Sequence, residues 1–149
     1  MTLHRSARDE IADLIVSYAE LLDLGDLHGA GALFQRATLQ MAGADRVLRG
    51  AEEVSALLES TVHLYDGIPS TKHFVTNVVV DVDDDGRTAS ARSYYCAMQA
   101  RPAFPMQPIL AGRWHDGFEA PEGRWVLVER TIHTDLVGDL SRHIRSPPT

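Results

Sequence analysis

The sequence predicts an α+β fold, in which helices come first and a run of long antiparallel strands follows. Three observations carry this. Apolar residues recur at helical spacing up to Val62, the period turns strand-like after Gly67-Ile68-Pro69, and no helical segment separates the later strands. A parallel sheet would need a crossover helix between its strands. The expected architecture is therefore a long, curved sheet wrapped around the helices as a cup, with a pocket between the concave face and the helices.

Each element has a local reason. Ser6 with Asp9 three residues on is a capping-box-like start. Ile11, Leu14, Ile15, Tyr18 and Leu22 then form one apolar helical stripe, which Asp23-Leu24-Gly25-Asp26 interrupts. A shorter helix follows over 27–34 and carries Gly29 and Gly31 at a cost in helix propensity. Residues 38–42 and 46–48 read as short strands around a turn at Gly43. Gly50-Ala51-Glu52-Glu53 opens a third helix bearing Val54, Leu57, Leu58 and Val62.

Residues 72–82 are rich in β-branched side chains and stop at the turn Asp83-Asp84-Asp85-Gly86. Residues 87–100, 109–118 and 124–136 supply three more strands, the last two joined at Pro121-Glu122-Gly123. Segment 101–108 holds Pro102, Pro105 and Pro108, too broken for a central strand. The 149 residues read as one domain, with Ser146-Pro147-Pro148-Thr149 expected to be a mobile tail.

Composition narrows the function. Fourteen Lys+Arg against 21 Asp+Glu leave a formal charge of −7, which argues against nucleic acid as a partner. The lone Cys96 allows no intrachain disulfide and fits a reducing compartment. No apolar run approaches a membrane span and the first residues lack a signal-peptide core, so a cytoplasmic location is expected. The seven histidines include no zinc-site spacing, and there is no glycine-rich phosphate loop, so neither metal nor cofactor is expected.

Polar residues inside apolar segments are the candidate chemistry, because a buried ionisable group must be hydrogen-bonded, paired or used. Strand alternation sets His73, Val75, Asn77 and Val79 on one face, with Phe74, Thr76, Val78 and Val80 on the other. Two readings of His73 stand: a general base near neutral pH, or a hydrogen-bonded core histidine. In the last strand Val126, Val128, Arg130 and Ile132 share a face, opposite Trp125, Leu127, Glu129, Thr131 and His133. Arg130 there needs a partner, such as Asp23 or an anionic ligand group, unless it reaches solvent from an edge. Tyr18 lies on the helical stripe, whereas Asp23 falls roughly 140° away on the wheel. The two share a pocket only if the helix ends near Gly25; otherwise Asp23 is a surface carboxylate.

Further pocket candidates are Asn77 on the His73 face, Tyr95 of the Tyr94–Tyr95 pair, and the strand residues Trp114 and His115. Phe104 and Met106 belong to the proline-broken segment, a candidate lid. With Trp114 and Trp125 that segment also offers apolar surface for self-association.

Four segments together resemble the SnoaL-like branch of the nuclear transport factor 2-like superfamily. They are 11–26 with Tyr18 and Asp23, Thr71-Lys72-His73-Phe74-Val75-Thr76-Asn77, Trp125-Val126-Leu127-Val128-Glu129-Arg130, and the ending Asp135-Leu136-Val137-Gly138-Asp139-Leu140. The resemblance implies a cone-shaped barrel, its strongly bent mixed or antiparallel sheet wrapped around N-terminal helices over a deep apolar pocket. Scytalone dehydratase, bile-acid 7α-dehydratases and hexachlorocyclohexane dehydrochlorinase of that superfamily use an Asp–His pair. By resemblance Asp23 and His73 take those places, and Tyr18 that of a phenol in the bile-acid enzymes. Arg130 resembles an arginine that follows the strand tryptophan.

The resemblance also implies a first helix ending near the aspartate. Two departures are visible: residues 94–99 offer no second catalytic histidine, and Tyr18 in place of a lysine argues against dehydrochlorination. The implied activity is a cofactor-free dehydratase or proton-transfer isomerase acting on a hydrophobic cyclic carbonyl compound. The alternatives are a non-catalytic small-molecule binder and an assembly protein like the small subunit of ring-hydroxylating dioxygenases. The implied partners are a small hydrophobic molecule and further copies of the chain, as a trimer in preference to a dimer.

Overall fold

The computed structural model describes residues 5–145, so the expected tail at 146–149 lies outside the described residues. The order is α1 (Ala7–Asp23), α2 (Leu27–Ala32), β1 (Thr38–Met41), β2 (Val47–Arg49), α3 (Gly50–Thr61), β3 (Thr71–Val82), β4 (Thr88–Arg101), β5 (Phe104–Glu119) and β6 (Val126–Val137). The α+β expectation holds. One six-stranded mixed sheet runs β2-β1-β6-β5-β4-β3. Its pairs are antiparallel except β1 with β6, which are parallel. β2 and β3 are its two edges, so the sheet stays open where a closed barrel would pair them.

Helix α1 starts as expected: the Asp9 amide donates to the Ser6 hydroxyl, and the Asp9 carboxylate accepts from the Ser6 amide. Its buried face is Ile11, Ile15, Tyr18 and Ala19, the helical repeat facing the sheet. Its end is sharp. Leu24 caps it and Gly25 takes φ +77, and a Cβ there would run into the Gly67 carbonyl. Helix α2 stops two residues earlier than its pattern suggested. Gly31 lies directly against Ser55 of α3, a close approach that accounts for a glycine in a helix.

Two bulges overturn the simple alternation. Between Thr76 and Val79 the register of β3 against β4 slips, and Asn77 adopts φ +54. Thr71, His73 and Val75 face inward before the slip; Val78, Val80 and Val82 do so after it. Asn77 is left exposed on the bulge and Val79 on the outer face. In β6 the register against β5 jumps from Glu129 to Leu127, which puts Leu127 on the inward face with Arg130.

Strand β5 corrects another expectation. It begins at Phe104 and not at 109, so Pro105 and Pro108 lie inside a strand, in a segment expected to be too broken for a central one. There the register with β4 slips twice, and β6 pairing begins only at Leu110, so the prolines sit where a ladder bond is dispensable. Trp114 and Trp125 are buried and offer no outer surface; the exposed apolar residues of the sheet include Phe74, Tyr94, Leu136 and Val137.

The main core lies between the helices and the inner sheet face. Tyr18 meets Phe34 and Trp114 edge-on at centroid distances of 5.7 and 5.5 Å, and Tyr95 stacks on Trp114 at 5.1 Å. Each fully buried side chain of this size stabilises by about 1.5–3 kcal/mol.

Candidate active site

The abrupt end of α1 brings Asp23 to the start of β3. Its carboxylate accepts three hydrogen bonds: from the Thr71 hydroxyl at 2.8 Å, from the His73 amide at 2.8 Å, and across 2.6 Å to His73 Nδ1. The two side chains are only 7% (His73) and 10% (Asp23) exposed. Burial alone would raise the Asp23 carboxyl, but the His73 bonds and charge, with the Thr71 hydroxyl, hold it below its ordinary value. An ionised Asp23 fixes the His73 tautomer with its proton on Nδ1, which leaves Nε2 as the basic nitrogen.

His73 lines a cavity of about 150 Å³ between the inner sheet and the helices. Leu22, Leu39, Leu58, Leu110 and Ile132 give it apolar walls, and Tyr18, Tyr95 and Trp114 give it aromatic ones. Asp23 stands behind the imidazole, on a shallow surface groove that His73 also borders. Burial pushes the Tyr18 phenol up, and the Arg130 charge pulls against it.

Arg130 has a different partner from the one expected. It forms a two-point ion pair with Asp116, Nε to Oδ1 at 2.7 Å and Nη2 to Oδ2 at 2.8 Å, both side chains 1% exposed. Asp23 is not involved. The guanidinium lies 4.9 Å from the Tyr18 ring centre and 4.1 Å from that of Trp114, so it backs the cavity wall without lining it.

Of the other pocket candidates, Tyr95 and Trp114 are on the cavity wall and four are elsewhere. Asn77 is turned out by its bulge, and Phe104 packs with Ala97 and Ile109 in a separate small core. Met106 is 76% exposed, and His115 pairs with His133 on the outer face at 4.6 Å.

His143 was missed. It lines the cavity from the C-terminal segment, where the periodicity has ended and nothing local assigns a face. That segment is strapped down by Gln99, whose amide donates to Pro69 and Arg142 carbonyls at 3.0 Å, and by the Tyr65 hydroxyl on Arg142 at 2.7 Å. Burial, then the His73 charge, pushes His143 down to about 4, with Asp23 opposing. Asp116 was also missed, although strand alternation with Trp114 and Phe118 carries the signal. Among the described residues no group of three potential metal ligands occurs, and no helix is long and apolar enough to cross a membrane.

The open six-stranded mixed sheet over a helix-lined cavity defines the NTF2-like, cystatin-like class of fold. Within it, residues 4–131 match the SnoaL-like domain, and the chain belongs to that family. No curated protein matches the sequence. An NTF2-like protein with a cystatin-like fold from Novosphingobium aromaticivorans is 21% identical, with TM-score 0.70 over 91% of this chain and 85% of that one. A candidate scytalone dehydratase from the same organism is 21% identical, with TM-score 0.67 over 88% of this chain and 85% of its own. A candidate aromatic-ring-hydroxylating dioxygenase beta subunit, also from that organism, is 22% identical, with TM-score 0.69 over 89% and 91%. At these identities the likeness is one of fold.

Proposed function

We propose that the protein is a cofactor-independent lyase, or a related proton-transfer isomerase, acting on a hydrophobic cyclic carbonyl compound. The observation that carries this is the 2.6 Å contact of Asp23 with His73 Nδ1, with the imidazole on the wall of an apolar cavity. His73 Nε2 takes a proton from the carbon beside the carbonyl, and the C–H electron pair moves to the carbonyl oxygen as an enolate. Asp23 stabilises the imidazolium so formed. Tyr18 donates a hydrogen bond to the enolate oxygen. In dehydration the enolate collapses, expels a β-hydroxyl and takes back its carbonyl, and the imidazolium protonates the departing oxygen to water. In isomerisation the same proton returns to a different carbon.

Arg130 acts through Tyr18: its charge lies against the phenol ring and opposes the rise in the phenol pKa. The assembly we favour is a homotrimer in the cytoplasm, where the lone Cys96 stays a thiol.

The test is solvent-deuterium incorporation into cyclic ketones and β-hydroxy ketones, followed by NMR. His73→Ala and Asp23→Asn should each abolish exchange while circular dichroism stays unchanged, and Tyr18→Phe should slow it on the order of 10²-fold. Unaltered exchange in either of the first two variants rejects the mechanism. The exposed Phe74, Tyr94 and Leu136 favour a second reading, an assembly protein that docks on a larger Rieske-type subunit. Co-purification with such a subunit, together with no exchange, would support it.

A further inference from the structure

The cavity and His143 together narrow the ligand. We propose that the site takes an uncharged compound of a single ring, whose carbonyl or hydroxyl oxygen hydrogen-bonds the His143 imidazole. This rests on the cavity being the ligand site of the proton-transfer reading, and it adds the ligand's size, charge and polar anchor.

Size comes first. The cavity is about 150 Å³. An apolar cavity of roughly that volume accepts a benzene-sized guest, whereas drug-sized sites run to about 300–1,000 Å³. A fused tetracycle exceeds it and would leave rings outside its mouth, where Met41 and Ile144 are exposed.

Charge comes next. Among the described residues the cavity wall holds no lysine or arginine. The Arg130 guanidinium lies behind Tyr18 and Trp114 with its charge balanced by Asp116. A carboxylate ligand would lose its hydration and gain no cation in return.

Among the polar groups of the wall, the Tyr18 phenol is assigned to the enolate oxygen. The Thr71 hydroxyl donates to Asp23, the Thr61 hydroxyl to the Leu57 carbonyl at 2.8 Å, and the Tyr95 hydroxyl to the His133 carbonyl at 3.4 Å. His73 is committed to Asp23 through Nδ1. His143 differs. It is 8% exposed, borders the cavity, and its Nδ1 is buried with no hydrogen-bond partner among the described residues. An imidazole with an unpaired nitrogen is costly to bury, and a ligand oxygen reaching the ring from the cavity would relieve that cost. The backbone holds the ring in place: the His143 amide donates to Leu140 at 2.9 Å, and its carbonyl accepts from His63 at 2.8 Å.

Calorimetric binding of defined probes tests this with no need for turnover. The full chain should bind 2-cyclohexenone and toluene, and should bind neither benzoate nor progesterone. His143→Leu should weaken 2-cyclohexenone at least tenfold and toluene less than threefold, while His143→Gln keeps most of the ketone affinity. Binding of progesterone or benzoate as tight as that of 2-cyclohexenone, no binding of either ring probe, or equal losses for both probes in His143→Leu overturns the proposal. Failure of the proton-transfer reading looks different: 2-cyclohexenone binds in a His143-dependent way, yet its C–H protons do not exchange.

Discussion

Asp23 is the residue on which the candidate site turns, and its place follows from the last turn of α1. On the helical wheel it lies about 140° from Tyr18 but about 40° from Ala19, which is buried on the same helix. As the last residue of α1, Asp23 gathers Thr71 and His73 with its carboxylate. His143 carries a stability consequence with a definite sign. Its folded value of about 4 lies below the ordinary 6.5, so the unfolded chain binds more protons between those values. Stability should therefore fall as pH drops from about 6.5 to about 4, and the effect should level off below. Asp23, held below its own ordinary value, sheds its contribution only at lower pH, as the carboxyl is protonated. Urea unfolding across that range should show the loss in the parent chain and a flatter profile in His143→Gln. Parallel profiles would mean that His143 does not titrate as a buried neutral group.

At the scale of elements, the bulges decide which strand residues look inward. The alternation His73, Val75 was legible in the sequence, but it holds only as far as Thr76, because Asn77 at φ +54 inserts an extra residue. Asparagine tolerates the left-handed region and a β-branched residue does not. Asn77→Val should thus cost about 1–3 kcal/mol, and Asn77→Gly should stay within about 1 kcal/mol, measured by equilibrium unfolding. Equal effects would mean the bulge is not held by backbone conformation. The same reasoning explains Leu127, which joins Arg130 on the inner face only through the slip beside it. A two-residue period carries no mark of such an insertion, so the faces beyond each bulge were misread.

For the whole molecule, the open sheet leaves an apolar outer surface around Phe74, Tyr94, Leu136 and Val137. Exposed apolar patches of this kind mark association surfaces. The proposed trimer should appear as one species of three chain masses in sedimentation velocity, and Tyr94→Lys with Leu136→Lys should dissociate it. A monomeric parent chain would remove the trimer from the proposal.

By itself the sequence determined the element order, the α+β class, the capped start of α1, the acidic charge balance and the family resemblance with its Asp23 and His73. These depend on neighbours in the chain, on periodicity, or on motif order. Only the tertiary structure decided that Asp116 and not Asp23 holds Arg130, that Asn77, Phe104, Met106 and His115 lie off the cavity, and that His143 lies on it. Those facts depend on register slips, on a helix end, and on a C-terminal segment strapped across the fold by Gln99 and Tyr65. Contacts between residues far apart in the chain follow from the summed packing of many elements, and no local pattern encodes that sum.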